Sequence, residues 1–264
     1  MKTDTNLTTC LRILFIVMIS PVFFTACKKE DAVPPSANSA SSGNSDDITR
    51  AELPGVYKLT SGNTNLVLRP GPNQGADAWV QSYEYDPTYA DANTATSFEI
   101  KLQAWTINGG FINLREFIKF TGLSQIPDTS RVISAKLFLY GLDSDDPFFP
   151  TGNSYYPGSP YNFYGENGCY VERVIQDWNE NTITWNNQPL ITQKNRTEIP
   201  ASTSQWNYNV ALDVTQLIKP MVKYSRNYGL RISLKSETPY HSIGFYSSDA
   251  NDAKKRPKLV VTYR

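Results

Sequence analysis

From Leu53 onward apolar and polar residues alternate with period two, in short runs broken by Gly, Pro, Asn and Asp. Successive side chains of a strand point to opposite faces, so this pattern predicts half-buried strands. They are expected over Asn65–Leu68, Ala78–Ser82, Ser97–Ile107, Phe111–Phe120, Val132–Gly141, Gly168–Arg173, Thr182–Trp185, Tyr208–Leu212, Gly229–Leu234, Ile243–Tyr246 and Lys258–Tyr263. Gly109-Gly110, between Trp105-Thr106-Ile107 and Phe111-Ile112, signals a hairpin. Two short helices are predicted, Glu172–Trp178 and Thr215–Lys223. Thr215 is placed to cap the second, and Pro220 limits its length. Many short strands with turn punctuation predict an all-β domain, a β-sandwich or jelly roll with one or two short helices. No internal repeat or second core divides residues 53–264, so one domain is expected there.

The first 52 residues follow a different pattern. Lys2 and Arg12 precede an apolar run, Ile13 to Phe24, interrupted by Ser20 and Pro21. The run is short for a membrane span and reads as the apolar region of a signal peptide, residues 1–26. It ends in Phe24-Thr25-Ala26-Cys27, which resembles the lipobox of bacterial lipoproteins, where the cysteine is acylated and becomes the mature N-terminus. Two or three acyl chains give the stable anchoring that one chain does not. Lys28-Lys29-Glu30-Asp31 resembles the surface-export signals of Bacteroidota lipoproteins. Ala32 to Asp47 is rich in Ser, Asn, Pro and Gly and has little to bury, so residues 27–52 are expected to be a flexible tether. About 20 such residues reach roughly 25 Å. The expected place is therefore outside the cell, lipid-anchored to the outer membrane and exposed at the surface.

Composition narrows the function classes. Net charge is zero over the 264 residues, and the longest basic run is Lys254-Lys255-Arg256. This argues against nucleic acid as a partner. Once Cys10 leaves with the signal peptide and Cys27 is acylated, Cys169 has no cysteine to pair with, and its apolar setting reads as a buried strand residue. The segment from Asp143 to Asn167 stands apart. It carries Phe148, Phe149, Tyr155, Tyr156, Tyr161, Phe163 and Tyr164 among Pro, Gly, Asn and Ser. Its prolines exclude a helix or a long strand, and a loop of that length is often functional.

Several motifs, in order, resemble the DNRLRE domain, also classed as carbohydrate-binding module family 96. They are Pro70-Gly71-Pro72-Asn73-Gln74-Gly75-Ala76-Asp77-Ala78, then Leu114-Arg115-Glu116-Phe117-Ile118-Lys119-Phe120, then Leu123-Ser124-Gln125-Ile126-Pro127 and Ile133-Ser134-Ala135-Lys136-Leu137. Val174-Ile175-Gln176-Asp177-Trp178-Asn179-Glu180-Asn181-Thr182-Ile183-Thr184-Trp185-Asn186-Asn187-Gln188-Pro189 is similar to the family's W-x-E-x-T-V-T-W-N-x-x-P stretch. Asp213-Val214-Thr215, Tyr228-Gly229, Phe245-Tyr246-Ser247-Ser248 and Arg256-Pro257-Lys258-Leu259 close the match. The chain departs from the family at Thr121-Gly122, where an Asp is usual, and in the long aromatic insertion after Leu142. The resemblance implies a β-sandwich that binds polysaccharide, alginate-like uronates being the known class.

A glycan site needs aromatic faces for sugar rings and hydrogen-bonding side chains. An acidic glycan also needs Lys or Arg. The loop tyrosines Tyr155, Tyr156, Tyr161 and Tyr164 are candidates for stacking, and Arg115 and Lys119 are the basic candidates. Trp79, Trp105, Trp178, Trp185 and Trp206 are further suspects, but Trp178 and Trp185 lie in the motif above and Trp105 inside a strand, so these three read as core. Asp143, Asp145 and Asp146 gather carboxylates in one loop, which suits calcium, though the spacing fits no complete calcium-binding loop. Asp177 with Glu180, or Tyr240 with His241, are the pairs nearest to a catalytic arrangement, and neither is persuasive. Three readings remain open: a surface lipoprotein that binds polysaccharide, a structural or adhesive module that binds protein, and a lyase or hydrolase. The sequence favours the non-catalytic readings and leaves the oligomeric state open.

Overall fold

The computed structural model describes residues 54–144 and 149–264. The expected signal peptide, Cys27, the tether, and Asp145 and Asp146 lie outside the described residues. Among the described residues are twelve strands in two antiparallel sheets, one α-helix and four short 3-10 turns. The all-β expectation therefore holds.

The five-stranded sheet has the order β1 (Gly55–Lys58), β2 (Thr64–Leu68), β12 (Lys258–Tyr263), β6 (Val132–Leu139), β9 (Val210–Asp213). The seven-stranded sheet runs β11 (His241–Tyr246), β4 (Glu99–Ile107), β5 (Gly110–Lys119), β10 (Leu230–Leu234), β7 (Cys169–Val174), β8 (Ile191–Ile199), with β3 (Ala76–Tyr83) paired to β5. Strand β5 organises this sheet. Along one edge it pairs with β3 from Ile112 to Lys119. Along the other it pairs first with β4, up to Leu114, and then with β10, from Glu116. The sheet forks there into a β4–β11 arm and a β10–β7–β8 arm.

One core joins the two sheets. Leu66, Leu137, Leu139, Leu259 and Val261 meet Ile118, Val171, Leu230, Ile232, Ile243 and Phe245. Helix α1 (Thr215–Lys223) adds Leu217, Ile218, Met221 and Val222 to it, four residues on one helical stripe. A second, smaller core covers the other side of β3 and β5. There Ala76, Ala78, Val80 and Phe117 pack beneath Val174, Trp178 and Ile183. Trp178 is only 9% exposed, and its indole N–H donates to Tyr228 O at 2.7 Å. The motif from Val174 to Pro189 is thus a lid of turns bound to the sheet. Buried Cys169 lies in the first core, and the apolar surroundings push its thiol well up.

Four local expectations are corrected. Glu172–Trp178 is not a helix. Glu172 to Val174 continue β7, paired to β10 and β8, and the chain then turns to seat Trp178. Thr182–Trp185 is not a strand, because Asn179 O accepts the N–H groups of both Thr182 and Ile183, and Thr184 caps a short 3-10 turn. Thr215 does not cap α1. Its hydroxyl accepts Ala135 N–H at 2.8 Å, and Asp213 Oδ1 accepts the Thr215 N–H instead. The β4–β5 hairpin turns on Asn108-Gly109, not on Gly109-Gly110. Both residues have positive φ, 50° and 87°, and Ile107 pairs with Gly110. Asn-Gly is the preferred pair for such a turn.

Candidate functional site

The register of the forked sheet builds a row of aromatic side chains. Tyr83 on β3 stands opposite Ile112 on β5, and Ile112 stands opposite Trp105 on β4. Directly opposed residues share a face, so these three form one line across three strands, about 10 Å from end to end at strand spacing. Tyr240, just before β11, extends the line, with its ring 5.2 Å from Trp105. It does so from a left-handed backbone conformation, φ 72°, which is rare for a bulky residue. Beyond Tyr83 the rings of Tyr89 (5.3 Å) and Tyr85 (6.0 Å) continue the row. Gly110 allows this, since a Cβ there would lie 2.7 Å from the Tyr85 ring and 2.9 Å from that of Tyr83.

The aromatic insertion supplies the other end. Tyr161 packs on Trp105 at 4.7 Å, Tyr164 on Tyr240 at 4.5 Å, and Phe163 on Tyr164 at 5.6 Å. Phe163 is 91% exposed and Tyr164 46%. The loop is held by buried polar groups rather than by secondary structure. Ser154 N–H donates to Ser242 O (2.9 Å), Asn153 Oδ1 accepts Gly244 N–H (3.1 Å), and Asn167 Nδ2 bonds Ser242 O and Ser202 Oγ. These contacts satisfy the free edge of β11 and fix the loop there. One row further along the strands, on the shelf's own face, lie Gln81, Leu114 and Gln103. Amide side chains both donate and accept hydrogen bonds, as sugar hydroxyls do.

Of the loop tyrosines singled out from sequence, Tyr161 and Tyr164 join this shelf. Tyr155 and Tyr156 are half-buried, and their backbones tie the loop: Tyr155 O accepts Ser202 Oγ–H, and Tyr156 bonds the Asn162 side chain at both N–H and O. Trp105, expected in the core, belongs to neither core cluster and stands half-exposed in the shelf. Trp178 and Trp185 lie in or against the smaller core, as expected.

The basic candidates lie on the opposite face of β5. Arg115 donates two bonds of 2.7 Å to the Glu237 carboxylate, reaches Gln188, and covers the Trp185 ring at 4.4 Å. Burial would raise Glu237, but the Arg115 hydrogen bonds and charge override it and hold this carboxyl below its ordinary value. Lys119 pairs with Asp177 (3.3 Å) and donates to Trp178 O (3.1 Å). Further across this face Arg231 and Arg196 pair with Glu172, and Lys235 with Glu198. Arg115 and Lys119 thus clamp the lid over the smaller core.

Asp143 accepts hydrogen bonds from Tyr246 OH (2.7 Å) and Lys255 Nζ (2.8 Å). Among the described residues no group of three His, Cys, Asp or Glu side chains is placed to hold a metal ion. A buried acidic group lies beside the lid. Asp77 accepts Ser248 N–H at 3.0 Å, and its own N–H donates to Glu180 at 2.8 Å. Burial pushes the Asp77 carboxyl up to about 7 and, with Asp77 nearby, raises Glu116 well above its ordinary value. Of the pairs considered for catalysis, Asp177 is engaged by Lys119, Glu180 by Asp77, and His241 is buried with Nδ1 2.8 Å from Thr238 O.

A two-sheet β domain that displays a row of aromatic rings with amides beside it has the makeup of a carbohydrate-binding module. Comparison with family models matches residues 72–263 to carbohydrate-binding module family 96, and the chain belongs to that family. No curated protein matches the chain. Sequence reasoning missed Tyr83, Tyr85 and Tyr89, weighed Tyr240 only as half of a catalytic pair, and misassigned Trp105. A signal was present in β3, where Trp79, Gln81 and Tyr83 alternate with Ala78, Val80 and Ser82. That face is aromatic and polar at once, which a buried strand face is not.

Proposed function

We propose that this protein is a non-catalytic module that binds an extracellular polysaccharide along the shelf formed by Tyr83, Trp105, Tyr240, Tyr161 and Tyr164. The observation that carries the reading is the placement of these rings in one half-exposed row, in a chain belonging to a carbohydrate-binding family. Rings of sugars offer apolar C–H faces to such surfaces, and rings fixed by packing lose little entropy on binding. An alginate-like uronate is the polymer that the family resemblance implies, and it calls for cations beside the rings. The same reading places the module outside the cell, tethered to the outer membrane through acylated Cys27. There it feeds a degradation system or holds the cell to its substrate.

The test is affinity electrophoresis through gels that contain alginate, polygalacturonate, xylan, mannan or laminarin, with and without EDTA. Retardation in at least one gel, lost in Trp105→Ala, is the expected result. Free migration in every gel would remove the reading. For the anchor, Cys27→Ala is expected to move the protein to the soluble fraction, and continued partition with membranes would exclude lipidation at Cys27.

A further inference from the structure

We infer that the polymer bound on the shelf is neutral, and that it lies as an extended chain crossing the strands; the inference rests on the shelf being the glycan site. The charge pattern carries the first part. The shelf is built from residues 81–98, 101–114, 149–169 and 236–248, and the one Lys or Arg in these segments is Lys101, buried one row beyond Gln103 on the same face, over the Trp79 ring. They do contain Glu84, Asp86, Asp91 and Glu166, besides Glu237, which turns to Arg115 on the other face. Glu84 lies beside the Tyr83 end, accepting Phe111 N–H, and Asp86 and Asp91 bound the turn that carries Tyr89. Glu166 follows the turn that carries Tyr164. Carboxylate side chains therefore flank both ends of the row.

A uronate polymer brings one carboxylate per sugar, and its recognition draws on Arg forks or Lys. The nearest cations are already paired within the fold. Lys101 lies 3.1 Å from Glu99, Arg115 is held by Glu237 on the other face, and Lys235 is 2.6 Å from Glu198. A uronate laid on the shelf would meet like charge at each end, a repulsion strongest at low salt. A neutral sugar chain has no such conflict. It finds instead the half-exposed Gln103 amide on the same face, backed by buried Gln81, and the Tyr240 hydroxyl, itself 3.3 Å from Thr106 Oγ1.

The second part follows from the row itself. Its rings come from β3, β4 and the start of β11, with Ile112 of β5 between Tyr83 and Trp105, at a spacing near 4.8 Å per strand. They continue through Tyr85 and Tyr89 on one side and Tyr164 and Phe163 on the other. A single sugar covers one or two of these rings, whereas a chain of several covers the row. Affinity therefore grows with chain length.

Calorimetric titration of the whole chain tests both parts, with a ladder of neutral oligosaccharides set against alginate and polygalacturonate fragments of the same lengths. The expected result is binding of a neutral series that tightens by tenfold or more from dimer to hexamer. It should be insensitive to salt between about 0.05 and 0.5 M. The uronate series should bind at least tenfold more weakly. A Glu84→Lys, Glu166→Lys double variant should gain uronate binding while keeping the neutral series. Tight uronate binding by the unaltered protein, weakening as salt rises, would overturn the neutral assignment and leave the shelf reading in place. A dimer that binds as tightly as the hexamer would overturn the extended-chain geometry. Binding of neither series, with polymer retention also absent, would remove the glycan reading on which the inference stands.

Discussion

The two faces of β5 carry the same kinds of residue and use them differently. On one face Trp185, Tyr170, Arg115, Arg231, Arg196 and Lys235 gather aromatic rings and cations, the ingredients of an acidic-sugar site. Each of those cations has a carboxylate partner within the fold, and Arg115 and Arg196 lie over Trp185 and Tyr170. On the other face Trp105, Tyr83 and Tyr240 pack against rings and keep part of their surface in water. Residue type is therefore a poor guide to function here. The useful distinction is whether a side chain's interactions are completed by its own chain.

That contrast makes predictions, the largest on the closed face. Trp178→Ala removes the centre of the smaller core and the bond to Tyr228 O, and should cost about 3–5 kcal/mol in chemical denaturation. The folded fraction should still bind polysaccharide. Next is the acid beside the lid. Unfolded, Asp77 releases its proton near 3.8, and folded near about 7, so the native state holds the extra proton between those values. Stability should therefore be greatest at low pH and fall as pH rises from about 4 to about 7. Asp77→Asn keeps an acceptor for Ser248 N–H and removes the titration. Denaturant midpoints at pH 4 and pH 8 should show it level with the parent at the first and of order 2–4 kcal/mol more stable at the second. A parent slope kept intact by the variant would assign the proton elsewhere, with Glu116 the next group to test.

Smaller effects sharpen the comparison. Arg115→Ala leaves the partly buried Glu237 without its fork and uncovers Trp185. Because both partners are about a quarter exposed, a loss of about 1–3 kcal/mol is expected, below that of a fully buried pair. Polysaccharide retention should be unchanged. Arg196→Ala, at the exposed rim of the same face, should change stability by less than about 0.5 kcal/mol.

Much of this fold was legible from the spacing of apolar residues, as β12 and α1 show. Lys258–Tyr263 is a short apolar run that sets Leu259 and Val261 in the core, and Thr215–Lys223 places four apolar residues on one stripe. Strand β8 was not legible. Ile191–Ile199 is polar from Thr192 to Glu198 because it is an exposed edge, so nothing in its pattern separates it from a loop. The lid failed for the opposite reason. Its Thr, Ile and Trp look like a strand, yet its backbone bonds close locally around Asn179 and Asn187. In the site, Tyr161 and Tyr164 stood out because aromatic residues in a Pro- and Gly-rich loop have no strand to fill. Trp105 did not, because one aromatic in a strand looks the same whether it faces core or water. Only the register that sets it beside Tyr83 and Tyr240 separates the two.

The most direct test sets one residue from each face side by side. Trp105→Ala and Arg115→Ala, each checked for folding by its thermal melt, are run by affinity electrophoresis in the polymer that best retards the parent. The account predicts that Trp105→Ala loses retention by at least about tenfold, as an aromatic at the centre of a binding surface does, while Arg115→Ala runs with the parent. Retention kept by Trp105→Ala and lost by a folded Arg115→Ala would place the sugar on the charged face and contradict it.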